Sequence, residues 1–286
     1  MKNIGSLNFT DFQKKTEHQK LIDDFFIKNT KKDMLISIKA KDSENLNFKI
    51  NSTIGEIGIT ILGSNEKDYN FYSENILDEE LIKKLHLIIK DKKVDNIKIP
   101  LLSKKGAEEL KSKFEKIMND FLFEVNLNSV SPFIDKKNFS KKKNSYMRNI
   151  SDFEKKGFTF RKIDKFNDGV RNLHKLRWGE NRTDDFFKYL EQMNVQDLSE
   201  SWGLFLKEEL IAYIQVILTG DTAHYYYSIF NSKYEGSGSA IVCYALKNFI
   251  ENDNLRFFSF GRGSEIYKHR WNTDLIKNYE LRGFLK

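Results

Sequence analysis

Three period-two runs in succession, residues 201–206, 210–218 and 222–230, constrain this chain more than any other feature. They are separated only by Lys207-Glu208-Glu209 and Gly220-Asp221. Alternation over runs this short predicts strands, and the tight polar and glycine turns make neighbouring strands antiparallel. The third run leads straight into NSKYEGSGSAIVCYALKNFI, residues 231–250. Gly236 and Gly238 lack a Cβ, so the chain can turn sharply there and bring backbone N–H groups close to a ligand. Ile241, Ala245, Leu246 and Phe249 then recur at helical spacing, which puts the glycines at a helix N-terminus. Unpaired N–H donors and partial positive charge at such a terminus suit a phosphate or pyrophosphate, and Lys233 adds a full charge just upstream. An isolated G-x-G is more often a plain turn, so the flanking residues decide between the two.

Elsewhere strand and helix signals alternate. An amphipathic helix is expected over residues 10–28, then short strands at 34–39 and 48–50 and a stronger one at 56–62, EIGITIL. A turn over 63–69 ends in Asp68-Tyr69. A helix over 78–90 with Leu81, Leu85 and Ile88 on one face precedes a strand at 96–101. Ser103 caps the next helix, which carries Leu110, Phe114 and Ile117, and a strand at 121–127 closes this half. Pro132 reads as a break. The densest charge run follows, Lys136, Lys137, Lys141, Lys142, Lys143 and Arg148, within an expected helix bearing Tyr146, Ile150 and Phe153. A solvated basic face explains that run at least as well as a ligand does. The domain boundary is therefore placed near residue 135, giving units 1–135 and 136–286. In the second unit a strand at 158–163 and helices at 167–178 and 184–193 precede the three alternating runs; a strand at 255–260 and a final one at 279–285 come after the glycine helix. The whole predicts an α/β protein, with no internal sequence repeat.

A net charge of +7 on 286 residues, with a pI near 9.1, favours anionic partners such as nucleotides, coenzyme A, tRNA or an anionic membrane surface. The single cysteine, Cys243, allows no internal disulfide and at mid-helix reads as a core residue. No apolar run approaches a membrane span and no His or Cys pair stands at a metal-ligand spacing, so a cytoplasmic protein without a transmembrane segment or a metal is expected.

The order of three antiparallel strands, glycine turn, helix, strand, tyrosine-bearing segment and last strand resembles the GNAT acyltransferase fold. Lys233-Tyr234-Glu235-Gly236-Ser237-Gly238 is similar to the Arg/Gln-x-x-Gly-x-Gly/Ala loop with which that superfamily holds the pyrophosphate of acyl-coenzyme A; lysine in first place keeps the charge and loses the planar fork. More closely, the chain resembles the two-domain CelD-like branch, itself related to the Fem peptidyltransferases. That likeness rests on Leu62-Gly63-Ser64 with Asp68-Tyr69, the basic helix SKKKNSYMRNISDFEKKG, Leu173-His174-Lys175-Leu176-Arg177-Trp178-Gly179, and above all Phe258-Ser259-Phe260-Gly261-Arg262-Gly263-Ser264-Glu265-Ile266-Tyr267-Lys268-His269-Arg270-Trp271.

The resemblance implies two tandem GNAT-like domains, each a mixed, mainly antiparallel sheet flanked by helices. It also implies transfer of an acyl group, first of all acetyl, from coenzyme A to an amine, with an envelope amino sugar or a nucleotide-linked one as acceptor. Lys233, Gly236, Ser237, Gly238 and Ser239 would hold the coenzyme. Backbone N–H groups around Tyr227, Ser228 and Ile229 would meet the developing oxyanion. Tyr267 is the expected acid, Asp68, Glu265 and His224 the candidate bases. Arg177, Trp178, Arg262, Lys268, Arg270 and Trp271 are expected to bind the acceptor, although Trp271 and Tyr267 also suit packing, Glu265 an ion pair with Arg270, and His174 a buried helical position. Two other readings stand beside this one: a Fem-like transferase taking an aminoacyl group from tRNA, and a non-catalytic module that binds polyanions. Tyr225-Tyr226-Tyr227 is expected to alternate between strand faces, which argues against an RNA-stacking platform.

Overall fold

The computed structural model describes residues 35–39, 45–53, 56–61, 79–91, 95–102, 104–138, 143–164, 168–179, 184–219, 221–261, 266–271 and 273–286. The expected helix over 10–28, the Asp68-Tyr69 turn, the Ser103 cap, and Arg262 and Glu265 lie outside these residues.

The first half runs β1 (Leu35–Lys39), β2 (Asn45–Thr53), β3 (Glu56–Ile61), α1 (Glu79–Asp91), β4 (Asn96–Leu102), α2 (Lys104–Ile117) and β5 (Phe121–Asp135). The second runs α3 (Lys143–Lys155), β6 (Phe158–Lys162), α4 (Asp168–Trp178), α5 (Asp184–Val195), β7 (Ser199–Leu206), β8 (Glu209–Thr219), β9 (Thr222–Phe230), α6 (Ser237–Glu251), β10 (Phe257–Ser259), α7 (Ile266–His269) and β11 (Asp274–Leu285). Among the described residues all strands join one eleven-stranded sheet in the order β1-β2-β3-β4-β11-β5-β10-β9-β8-β7-β6. Within it, among the described residues, only β3 with β4 and β9 with β10 pair parallel. Among the described residues each parallel pair is bridged by a helix, α1 or α6, the kind of connection that parallel neighbours require.

The order reads as one topology used twice. Three antiparallel strands, a crossover helix and a parallel strand occur as β1–β4 and again as β7–β10; the strand that closes each set, β5 or β11, lies beyond the other's neighbour. Thus β11, from the chain's last residues, pairs with β4 and β5, while β5 pairs with β10. The sheet is continuous across residue 135. β5 also passes straight through Pro132, where a break was expected. Pro132 accepts from the Phe260 N–H at 2.8 Å. Its missing donor therefore faces β10 just beyond the last ladder pair, Ser259 with Phe133, where it leaves no strand partner unbonded.

Three apolar clusters hold the layers. In the first half Ile82, Leu85 and Ile89 of α1 and Leu110 and Phe114 of α2 pack on Ile97, Ile99, Phe121, Phe123 and Leu281. In the second half α3 and α6 cover one face of β7–β10 through Tyr146, Ile150, Ile241, Leu246 and Phe249, and α4 and α5 cover the other through Leu173, Phe186, Phe187 and Leu190. In the lysine-rich stretch Lys136–Asn138 form a 3-10 turn and α3 is described from Lys143; it buries Tyr146, Ile150 and Phe153. No helix among the described residues is long and apolar enough to cross a membrane.

Candidate functional site

β9 and β10 are hydrogen-bonded only over Thr222, Ala223 and His224, opposite Phe257, Phe258 and Ser259. β10 ends there, whereas β9 continues to Phe230. From Tyr225 onward β9 has no strand on that edge among the described residues, so a row of backbone donors and acceptors lines a gap. At the same place the β8 register slips: Val216 faces Tyr225 and Gln215 faces Tyr227, leaving Tyr226 unopposed. A bulge of this kind re-aims the side chains after it. Tyr225 packs beside Phe260 at 6.1 Å, on the α6 face. Tyr226 and Tyr227 both enter the cluster under α4 and α5, so the three rings do not alternate as their spacing predicted.

The gap opens onto the start of α6. Asn231 organises the turn before it: its N–H donates to the Ile211 carbonyl, its Oδ1 accepts from the Lys233 N–H at 3.1 Å, and its own carbonyl accepts from the Tyr234 N–H. Gly236 follows as N-cap at φ 81°, a left-handed conformation that costs a residue with a Cβ about 1–2 kcal/mol. Gly238 is needed for space instead, since a Cβ there would stand 2.7 Å from the Phe230 ring. The first turn of α6 carries no acid and no side-chain cap. Tyr234 O takes the Ser237 N–H and Gly236 O takes that of Ala240; no backbone carbonyl outside the helix takes those of Gly238 and Ser239. These are the donors that point out of a helix mouth. Ser237 itself is fully buried and turns its hydroxyl back to the Asn231 carbonyl, so its side chain belongs to the turn. Ser239 is half-buried and Lys233 exposed.

On β9, Ser228 stands opposite Ile214 and is half-buried, and Ile229 stands opposite Tyr213 with its side chain in the core. Because N–H and C=O groups alternate along a strand and Asn231 bonds back to Ile211 of β8, Ile229 is directed to β8 and Ser228 turns its backbone to the open edge. His224, buried, is the last β9 residue paired with β10, at the point of the fork.

The far side of β9 is lined by α4. His174 Nδ1 lies 2.7 Å from the Tyr227 hydroxyl, and both side chains are buried. Trp178 covers this pair edge-on, 5.2 Å from the imidazole and 6.3 Å from the Tyr227 ring. The Arg177 guanidinium sits 4.5 Å over the Phe230 ring, the ring that Gly238 approaches from the α6 side. Arg177 is thereby brought toward the helix mouth, while Trp178 borders the α4 face.

The other expected residues divide. Tyr267 is 41% exposed on α7, with the Lys268 ammonium 5.9 Å from its ring; Lys268 is buried and Arg270 exposed. Trp271 is a core side chain, stacked on Phe260 and tilted against Tyr146, whose hydroxyl donates to the Trp271 carbonyl at 3.3 Å. Burial pushes the Cys243 thiol up to about 12, so it stays protonated and does not act as a nucleophile near neutral pH. No group of three or more metal-binding side chains occurs among the described residues.

One polar cluster was not foreseen. The amide nitrogen of Gln215, fully buried on β8, shares its two N–H groups among Leu190 O at 2.8 Å, Ser199 Oγ at 2.7 Å and Asn194 Oδ1 at 3.1 Å, and Tyr213 and Ser201 join the cluster. A buried amide of this kind fixes α5 to β7 and β8 and so the wall behind Tyr227. A lone glutamine in the run LIAYIQVIL is the only trace of it in the sequence.

Residues 140–269 match the model of an acetyltransferase (GNAT) domain. No curated protein sequence matches the chain. Among solved structures it is similar to the C-terminal domain of a putative lysylphosphatidylglycerol synthetase from Agrobacterium fabrum, at TM-score 0.62 and 11% identity, covering 94% of this chain and 92% of that one. It is also similar to L-PGS from Bacillus licheniformis (TM-score 0.59, 13% identity, 88% and 84% covered) and to FemX (0.57, 10%, 93% and 95%). The fold is GNAT-like, a mixed and mostly antiparallel sheet flanked by helices, and the chain is acyltransferase-like.

Proposed function

We propose that the chain is an N-acyltransferase that takes an acyl group, first of all acetyl, from coenzyme A and passes it to an amine, with an amino sugar, free or nucleotide-linked, as acceptor. The observation that carries this reading is the fork between β9 and β10 opening onto an acid-free helix start. A backbone edge accepts an extended amide-bearing arm, and the helix mouth accepts its diphosphate. Gly236, Gly238 and Ser239 hold the diphosphate through the turn and its N–H groups, with Lys233 as counter-charge.

Bound there, acyl-coenzyme A supplies an activated thioester. The chain then has three tasks. Within the stretch Tyr227 to Ile229 after the bulge, the Ser228 N–H, which faces the open edge, stabilises negative charge on the carbonyl oxygen as the amine nitrogen attacks the carbonyl carbon. His224, buried at the point of the fork, takes the amine proton, with Asp68 and Glu265 as the other candidate bases. Tyr267 returns a proton to the departing sulfur. Arg177, Trp178 and Arg270 border the acceptor side, with Arg262 a further candidate; Lys268 is buried and Trp271 supports the site from the core.

A second reading has its own support. Full-length likeness to FemX and to lysylphosphatidylglycerol synthetase domains, although it speaks only for the fold, makes an aminoacyl donor the alternative. The test is release of free thiol from acetyl-coenzyme A in the presence of nucleotide-linked amino sugars, read with a thiol-reactive chromogen; buried Cys243 adds no background. Acceptor-dependent release that His224→Ala lowers about 10²- to 10⁴-fold in kcat supports the assignment. Absence of release with every amine, together with transfer from aminoacyl-tRNA, would favour the second reading.

A further inference from the structure

The end of the sheet at which the fork opens carries exposed aliphatic and indole groups that the proposed chemistry leaves unused. Leu176 and Trp178 at the end of α4 are 59% and 48% exposed, and Ile266 at the start of α7 is 81% exposed. They belong to one rim. α4 ends against β9 where Arg177 overlies Phe230 and Trp178 meets Tyr227, and α7 follows the end of β10. Because β9 and β10 are parallel neighbours, their ends lie on the same side of the molecule. Arg177, Arg270 and Lys233, all exposed, share this rim, against the Glu235 carboxylate of the loop.

We infer that this rim docks on an anionic lipid surface. Cations alone would suit any polyanion, RNA included. Exposed leucine and isoleucine side chains gain nothing from a phosphate backbone, whereas at a bilayer they enter the acyl boundary while long basic side chains stay among the headgroups. An indole with one covered and one open edge suits the same depth. Each cation adds attraction to anionic lipid that salt screens. Docked in this way, the fork faces the membrane plane and an acceptor amine held there meets it directly. The acceptor statement rests on the proposed transferase reading; the docking does not.

The experiment is co-sedimentation of the full chain, without acyl-coenzyme A, with vesicles of phosphatidylcholine alone or of equal parts phosphatidylcholine and phosphatidylglycerol. Trp178 supplies a second readout. The other two tryptophans, Trp202 and Trp271, are only 5% and 8% exposed, so a blue shift of emission on adding vesicles reports Trp178 entering the interface. Expected are binding to the mixed vesicles only, a blue shift, and a loss of at least about tenfold in partitioning for both Leu176→Ser/Ile266→Ser and Arg177→Glu/Arg270→Glu. Circular dichroism of these surface variants checks that they fold. Protein that stays in the supernatant overturns the inference. So does sedimentation that the charge variant abolishes and the aliphatic variant leaves intact, because the rim is then a generic polyanion surface of the kind RNA would use.

Discussion

The two crossover units, β3–α1–β4 and β9–α6–β10, share a topology and differ at the point where the helix begins. Residues 62–78 separate β3 from α1, and α1 opens on Glu79 and Glu80. Six residues separate β9 from α6, which opens on Ser237-Gly238-Ser239 with glycine as its cap. Carboxylates in the first turn occupy the positive end of the helix dipole with the helix's own charge. At α1, Glu79 is drawn across to α2 as well: Lys116 donates to it at 2.8 Å and holds its carboxyl below the usual range. The α6 start has no such internal partner and sits beside an unpaired strand edge. Under the proposed function donor binding therefore falls to the second unit, which is joined to the first through the exchanged strands β5 and β11.

The largest effect should come from removing that exchange. Truncation before Asp274 deletes β11, which supplies Leu281 to the first core and a neighbour to both β4 and β5. Cooperative thermal unfolding should be lost for the whole chain; a truncated protein that keeps a sharp transition would show that the second half stands alone. Next, Gly238→Val drives a side chain into Phe230 and Gly236→Ala forces a left-handed alanine, so denaturant unfolding should register about 1–3 and about 1–2 kcal/mol. Gly106, buried in α2 of the first half, offers a control: its helical position needs no special conformation, and loss there would report packing only. Ser239→Glu gives α6 the kind of first turn that α1 has. It should raise stability slightly, by about 0.3–1 kcal/mol, in the same denaturant assay.

The smallest effect lies at the end of α2. Burial tends to raise the Asp120 carboxyl, but hydrogen bonds from its own backbone, Lys90 and His86 together outweigh that and bring it below 3.8. A carboxyl lowered on folding contributes stability above its unfolded pKa and loses it as pH falls through the folded value. Melting temperatures of the wild type and Asp120→Asn should therefore differ near neutral pH and converge below about pH 4. A gap that persisted in acid would mean that the contact acts through shape, not charge.

Much of the second half was legible because its signals are local. Alternation located β7, β8 and β9 almost to the residue, and helical spacing behind two glycines located α6. The exchange of β5 and β11 was not, since a strand's neighbours are set by pairings far apart in sequence. The length of β5 was missed for a related reason: Pro132 argues against a strand unless its missing donor happens to fall where the neighbouring strand stops. The bulge at Tyr226 is likewise a property of register with β8, and it alone decides which way the three tyrosines point. At the site, the turn and its glycines could be read from residue type. The fork, the His174–Tyr227 contact and the placing of Arg177 over Phe230 depend on how α4 and β10 meet β9, which no spacing encodes.

The central claim is that an acid-free α6 mouth beside an open β9 edge binds the diphosphate of acyl-coenzyme A. Its most direct test is a calorimetric titration of the wild type and Ser239→Glu with acetyl-coenzyme A. The account predicts saturable binding by the wild type, weakened by about tenfold or more in the variant, whose stability is kept or raised. Equal affinities for the two proteins, or no binding by the wild type up to millimolar ligand, would contradict it.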